Sequence, residues 1–493
     1  MAGGRRSFEA FGESGGEHPI GRKRRRRMTL RGRLTHVLPI GAVVAAGWLA
    51  AGPGRTALAL AARWLEPPAE LRLARVEAPP PELPWAPDSV LARLPVSQEA
   101  FRLAQASADW LPKVLPPGAR LWESLAAPPE RPDLVTPLRV EYTLNPALTE
   151  RVFDVLEQGH VDLGHVIVMD PATDEILVYA STDLERFPPT ATYPAASLIK
   201  VVTTAATLEH SPGAVARPCR FDGSPYRLTA SRVNPPRRGT EVSLTKALAT
   251  SNNQCFAQLA VHEVGATSLL DVIRRFGILE APGPMHAAGS AEDPGQDPFA
   301  LGQLGCGLAG CRITPLQAAR MASVVADGQL DHPRWISRVV DGSGRDLPLP
   351  DLGEPRRVLS PKLAATMREM MVETTVRGTA RRAFNPRGRP LVPGVRIAGK
   401  TGSLSGRDPD GRYEWFIGVA PAEKPRIAVA VVVVQGSVWH RTAAQVSAGV
   451  FHTLFCDDRG ACGSDGVSRW LPTADPQPSL PPVRAAAATG AAH

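Results

Sequence analysis

Three short motifs stand in chain order and carry residue types able to move protons and form an acyl bond: Ser197-Leu198-Ile199-Lys200, Ser251-Asn252-Asn253 and Lys400-Thr401-Gly402-Ser403. The chain has 7 Lys among 56 basic residues and only five Asn, so chance places all three motifs in fewer than about 1% of chains of this composition. A serine hydroxyl is a poor nucleophile unless a base lies within hydrogen-bond reach. At i and i+3 of a helix, Ser197 and Lys200 share one face. Lysine accepts a proton only when neutral, and burial with a neighbouring cation lowers its pKa; Lys400 is the candidate cation. Arginine cannot replace it, because it does not deprotonate in proteins. The Ser197 and Ser403 amides are candidates to hold an oxyanion. Asn253 suits a substrate amide, Ser251 a proton relay to an amine, and Lys400 with Thr401 a terminal carboxylate.

These residues need particular elements to hold them. Ser197 precedes the apolar stripe Leu198, Val201, Val202, Ala205 and Leu208, which predicts a helix starting at the serine. Val395, Ile397 and Ala398 make Lys400–Ser403 read as a strand at a sheet edge, with Gly402 permitting close approach of an extended peptide. Upstream, the pattern predicts a helix over Leu148–Leu156 and a hairpin with arms His165–Met169 and Ile176–Ala180. The middle, from Ser197 to about Ser323, has helical periodicity. Strands follow at Val395–Thr401, Trp415–Val419 and Ile427–Val434, then a helix over Thr442–Leu454. Strands at both ends with helices between predict an α/β (α+β) fold whose sheet joins distant segments.

With 493 residues, 43% hydrophobic and 21% charged, the chain can bury a core, and uniform disorder is excluded. The net charge of +8 does not indicate nucleic acid: residues 1–33 carry ten Arg/Lys and three Glu, which leaves +1 for the other 460. Leu34–Gly54 is a run of 21 residues with no ionised side chain behind that basic tail. This length matches a bilayer core, and a basic flank stays in the cytoplasm. The run predicts an uncleaved anchor, with a cleaved signal peptide at Ala50-Ala51-Gly52 as the alternative. In either case the chain beyond residue 55 lies outside the cytoplasmic membrane. Fifteen prolines in residues 66–137 predict a largely extended spacer, interrupted by one amphipathic helix from Ser97 to Leu111. The Pro/Ala-rich C-terminus predicts disorder. Cys306 with Cys311, and Cys456 with Cys462, are close enough in sequence to close small disulfide loops; Cys219 and Cys255 have no sequence neighbour. No Cys/His spacing supports a metal. One G-x-S-x-G, at Gly12–Gly16, sits in the polar tail without a strand or helix to display it.

The ordered triplet S-x-x-K, S-x-N, K-T-G resembles the signature of penicillin-binding proteins and active-site-serine β-lactamases. The resemblance to the penicillin-binding transpeptidase domain covers about residues 138–456, supported by VIVMDPATDEILVYAS (166–181), LTKALATSNN (244–253), ITPLQAARMASVVADG (313–328), RGTA (377–380) and WFIGVAP (415–421). It implies a central antiparallel sheet flanked by helices and an all-helical lobe carrying Ser251 and Asn253. It further implies catalytic roles for Ser197, Lys200, Ser251, Asn253 and Lys400, and substrate binding by Thr401, Gly402 and Ser403. The expected substrate is a stem peptide ending in D-Ala-D-Ala, β-lactams bind covalently, and no cofactor, metal or nucleic acid takes part. The membrane and other cell-wall synthesis proteins are the further expected partners, with the catalytic domain on the periplasmic side of a single-pass inner-membrane anchor. The expected layout is tail 1–33, anchor 34–54, spacer 55–137, transpeptidase domain 138–456 and disordered tail 457–493. The spacer is too short for a glycosyltransferase or a large non-catalytic module, which implies a monofunctional enzyme. A penicillin-binding sensor that does not turn over, a D,D-carboxypeptidase and a β-lactamase are the alternatives. The sole E-x-x-x-N, Glu141 to Asn145, lies upstream of the nucleophile.

Overall fold

The computed structural model describes Leu83, Trp85 and residues 87–472, which belong to one compact unit beginning at Leu83. The basic tail, the expected anchor over 34–54, the first part of the spacer and residues 473–493 lie outside the described residues. Among the described residues no helix is long and apolar enough to cross a membrane.

Helix α1 (Pro146–Gln158) starts where the Asn145 side chain accepts from the Leu148 amide and Pro146 supplies a preset φ. It leads into the hairpin of β1 (Leu163–Asp170) and β2 (Glu175–Ser181). The helical middle contains α2 (Ile199–His210), α3 (Asn253–Leu259), α4 (Pro298–Cys306), α5 (Pro315–Asp327) and α6 (Pro361–Val376). The chain then returns to the sheet with β3 (Ala398–Gly406), β4 (Gly411–Ala420) and β5 (Ile427–Gln435), and finishes on α7 (Ala443–Phe455).

The strands form a five-stranded antiparallel sheet in the order β3-β4-β5-β1-β2. Strand β5 joins the C-terminal hairpin to the N-terminal one, with Val434 opposite Leu163 and Ala428 opposite Met169. Its uninterrupted apolar run follows from two-sided burial. Ala428, Ala430, Val432 and Val434 pack in the core containing α5 and α6, whereas Val429, Val431 and Val433 pack in the core of α1 and α7. Strand β3 is left at the edge, as the spacing around Lys400 predicts.

Three expectations need correction. The spacer is folded where it is described: Trp122–Leu125 pairs with Trp110–Leu111 and Leu138–Tyr142, and Trp85, Trp110 and Leu121 are buried in the main core. The helix expected over Ser97–Leu111 runs only from Gln98 to Ala106, because Trp110 and Leu111 gain strand partners. At the other end, Val467, Trp470 and Leu471 are buried, and the Asn145 side chain donates to the Trp470 carbonyl at 2.9 Å.

Of the two expected cysteine pairs one forms and one does not. Disulfides join Cys456 to Cys462 and Cys219 to Cys255, whereas Cys306 and Cys311 are free, buried thiols. Cys306 ends α4 and its thiol donates to the Gln303 carbonyl at 3.6 Å, while Cys311 opens a short strand paired with Ala291. Each thiol is therefore committed to its own element despite the short spacing. The Cys219–Cys255 bridge spans 36 residues and lays the hairpin of Cys219–Phe221 and Thr240–Val242 against α3.

His165 on β1 is 1% exposed, stacked on Phe187 at 4.2 Å, and neither ring nitrogen reaches a hydrogen-bond partner. Burial drives its pKa down to about 3. The unfolded chain therefore takes up a proton near pH 6.5 that the folded chain refuses. Stability is complete above pH 6.5 and falls as the pH drops toward 3. His165→Leu should remove about 2 kcal/mol of the stability lost between pH 6.5 and 5. Denaturant melts across that range check this; equal acid sensitivity in both proteins would assign the loss to other groups.

Candidate active site

Ser197 lies in a single 3-10 turn, Ala196–Leu198, that runs directly into α2. The turn is held in an unfavourable conformation, with Ala196 at φ 49°, a region a non-glycine residue occupies only when its surroundings insist. Two glycines insist here. Gly307, at φ +75° after α4, packs so closely that a Cβ would sit 1.9 Å from the Ala196 carbonyl oxygen. On the other side a Cβ on Gly402 would lie 3.3 Å from Ala196 Cβ and 3.4 Å from Ser197 N. The Trp415 indole donates to the Pro194 carbonyl at 2.9 Å and fixes the approach to the turn.

One helical turn later, Lys200 is fully buried. Its Nζ lies 2.6 Å from Ser197 Oγ, 2.7 Å from Asn253 Oδ1 and 2.7 Å from the Cys306 carbonyl oxygen. Burial lowers its pKa to about 8, the neighbouring Cys306 opposing the shift. In the neutral amine the two carbonyl-type oxygens take both N–H bonds. The remaining lone pair then faces the Ser197 hydroxyl, which can donate to it.

Ser251 and Asn253 flank the start of α3. Ser251 adopts φ 56°, and the Asn252 side chain caps the helix by accepting from the Cys255 amide. Asn253 is fixed from both ends: its Oδ1 accepts from Lys200 and its Nδ2 donates to the Tyr226 carbonyl at 2.8 Å. Only one Nδ2 hydrogen is left for the substrate amide that the sequence suggests. The segment carrying Tyr226 hangs on α3 through Gln254, which donates to the Asp222 and Ser224 carbonyls, and through the Cys219–Cys255 bridge.

Lys400 on β3 is also fully buried. It donates to Ser251 Oγ at 3.0 Å and to the Thr401 carbonyl at 2.6 Å. Burial and the charge of Lys200 push its pKa well below the ordinary lysine value. Burial is the largest cause for both amines, and at Lys400 the charge of Lys200 adds to it. The cleft over these groups, ≈ 470 Å³, is lined by Ser197, Ser251, Asn253, Thr401, Gly402 and Ser403 among others. The structure therefore brings all three motifs to one place. Sequence reasoning gave no role to Thr379, whose hydroxyl meets that of Thr401 at 2.5 Å, although the RGTA stretch containing it carried part of the resemblance. Tyr226 and Arg412, which also line the cleft, had no sequence signal beyond their type.

Comparison with known proteins agrees with this arrangement. The family model described as penicillin binding protein transpeptidase domain matches residues 164–455. The peptidoglycan D,D-transpeptidase PbpA of Mycobacterium tuberculosis is 30% identical, the match covering 60% of this chain and 67% of the relative. The peptidoglycan D,D-transpeptidase FtsI of Escherichia coli is 25% identical, covering 64% and 54%. The crystal structure of PBPA from Mycobacterium tuberculosis superposes with a TM-score of 0.54 at 27% identity, covering 63% of this chain and 81% of that one. Its ceftriaxone acyl-enzyme complex gives 0.52 at 27%, covering 63% and 79%. With the three motifs converging on one buried amine pair and the family model spanning the whole sheet, the chain belongs to the penicillin-binding protein transpeptidase family.

Proposed function

We propose that this protein is a membrane-anchored serine D,D-transpeptidase that cross-links peptidoglycan stem peptides through an acyl-enzyme on Ser197. The observation that carries the reading is the placement of the Lys200 amine, 2.6 Å from Ser197 Oγ with two carbonyl-type oxygens occupying its N–H bonds. A stem peptide ending in D-Ala-D-Ala lies along the free edge of β3, with its terminal carboxylate toward Thr401 and Thr379. Ser197 Oγ attacks the penultimate carbonyl as its proton passes to Lys200, and the Ser197 and Ser403 amides hold the developing oxyanion. Ser251, bonded to Lys400, lies where it can hand a proton to the departing D-alanine. The amine of a second stem peptide then takes the acyl group, with the same groups used in reverse. A β-lactam acylates the same serine. The apolar run 34–54 behind the basic tail supports an anchor with the catalytic unit on the periplasmic side.

One class of serine β-lactamase uses a carboxylate to activate water at the acyl ester, and another has S-x-V where this chain has Ser251-Asn252-Asn253. Among the described residues lining the cleft the only carboxylate is Glu414. Its neighbour but one, Phe416, packs in the core of α1 and α7, on the sheet face opposite Trp415.

Fluorescent penicillin should label the wild-type protein stoichiometrically and leave Ser197→Ala unlabelled with its melting temperature nearly unchanged. Lys200→Arg should acylate at least about 100-fold more slowly, because arginine cannot take the proton. Full labelling of the alanine variant, or wild-type speed in the arginine variant, would overturn the assigned roles. The acylation rate should rise with pH through about 8, where Lys200 loses its proton, and fall about tenfold per unit below that. A rate independent of pH between 6 and 9 would remove Lys200 as the base. The penicilloyl adduct should last many minutes, since each 1.4 kcal/mol of missing stabilisation slows hydrolysis about tenfold. Benzylpenicillin turnover of about 1 per second or faster would favour the β-lactamase instead.

A further inference from the structure

We propose that Gln254 and the Cys219–Cys255 disulfide are positioning residues for the base: they hold the Tyr226 carbonyl where it fixes which end of the Asn253 amide faces Lys200. The proposal deepens the transpeptidase reading of this site and rests on it.

The two ends of an asparagine amide are nearly the same size and exchange places by a half-turn of the side chain. Their chemistry is opposite. Oδ1 faces Lys200 at 2.7 Å, takes one N–H of the neutral amine and leaves its lone pair to Ser197. With Nδ2 in that place the amide would donate to the lone pair, and the amine could not take the serine proton. A protonated Lys200 would then face a donor where it now has an acceptor. The choice is made at the far end of the amide. There Nδ2 lies 2.8 Å from the Tyr226 carbonyl, which can only accept. As long as that carbonyl stays in place, Oδ1 is the end that reaches the lysine.

Tyr226 lies past the short strand Cys219–Phe221, and its own side chain is exposed. Three consecutive residues in the first turn of α3 tie the segment down. The Asn253 amide donates to the Pro225 carbonyl at 2.8 Å. Gln254 is fully buried; its Nε2 donates to the Asp222 and Ser224 carbonyls, both at 2.8 Å, and its Oε1 accepts from the Asp222 amide at 3.3 Å. Both N–H groups and the oxygen of that side chain are thus spent on one segment, and a buried amide needs such partners. Cys255 closes the set with its bond to Cys219. Loosening either tie frees the carbonyl while α3 keeps its Asn252 cap. The bridge is reachable: Cys219 and Cys255 line a cavity of ≈ 440 Å³ together with Arg217 and His262.

The test follows acylation of the full-length protein by a fluorescent penicillin between about pH 6 and 10. Two samples are compared with the wild type: Gln254→Met, and a Cys456→Ser, Cys462→Ser protein reduced with dithiothreitol, in which Cys219–Cys255 is the remaining bridge. Reduction breaks its S–S bond to two thiols; dithiothreitol supplies two electrons and two protons as it closes to a cyclic disulfide. Either change should lower the high-pH plateau about tenfold. It should also move the midpoint down by about one unit from its position near 8, because the ammonium loses an acceptor. Reoxidation should restore both. The titratable groups facing Lys200 from other elements are Lys400 on β3 and the Cys306 thiol on α4, and neither is altered in these samples. A lowered plateau with an unmoved midpoint is the mark of general loosening and would overturn the assignment, as would unchanged rates in both samples. If Gln254→Met does not fold, the reversible reduction decides alone. Wild-type protein that takes no label at any pH would sink the transpeptidase reading itself.

Discussion

An amine at the bottom of a dry pocket governs the design of this molecule. Moving an ammonium out of water costs several kcal/mol unless its protons are bonded or shed. Lys200 meets that cost with oxygens from three separated stretches: its own helix turn at Ser197, the start of α3 at Asn253 and the end of α4 at Cys306. Each of those elements must be in place for the amine to be neutral and aimed. The helical lobe is thus the part of the fold that makes the lysine a base. At a second buried amine, Lys400, the charge of Lys200 adds to the cost of protonation.

The sheet supplies a complementary constraint. Its centre is closed by helices on both faces, so β5 can be apolar at every position from Ile427 to Val434. Its margin at β3 stays open, and there the backbone can pair with an incoming peptide. Lys400 sits on that margin yet is buried. The same strand therefore presents peptide groups outward and a buried amine inward.

Much of this was legible from the chain alone. The three motifs in order pointed to a candidate nucleophile, a candidate base and the sheet edge, since their joint occurrence by chance is rare. The hairpin at 165–180 and the strand at 427–434 were legible because burial on one or both faces writes itself into the residue pattern. Other features depend on tertiary placement and leave no local mark. Cys219 finds Cys255 only once a hairpin is laid on α3, whereas Cys306 and Cys311 are near in sequence but held in different elements. The Pro-rich stretch before residue 138 read as spacer because proline density was weighed above its tryptophans. Trp85, Trp110 and Trp122 are what fasten it to the core. Asn253 was legible as a polar group in the site, but its fixation by the Tyr226 carbonyl depends on a loop that only the fold brings near.

The pinched turn around Ser197 bears on how drug resistance can arise in such a protein. Gly307 and Gly402 leave no room for a methyl group on one side and very little on the other. A side chain introduced at Gly307 would therefore displace the serine turn, and one at Gly402 would press on it. Selection must act instead at the mouth of the cleft. Tyr226 lines that cleft and is exposed, as is Trp439 beside Arg412. Reduced drug affinity can accumulate at that rim by small steps, each altering how fast a β-lactam enters while the nucleophile stays where its own chemistry requires.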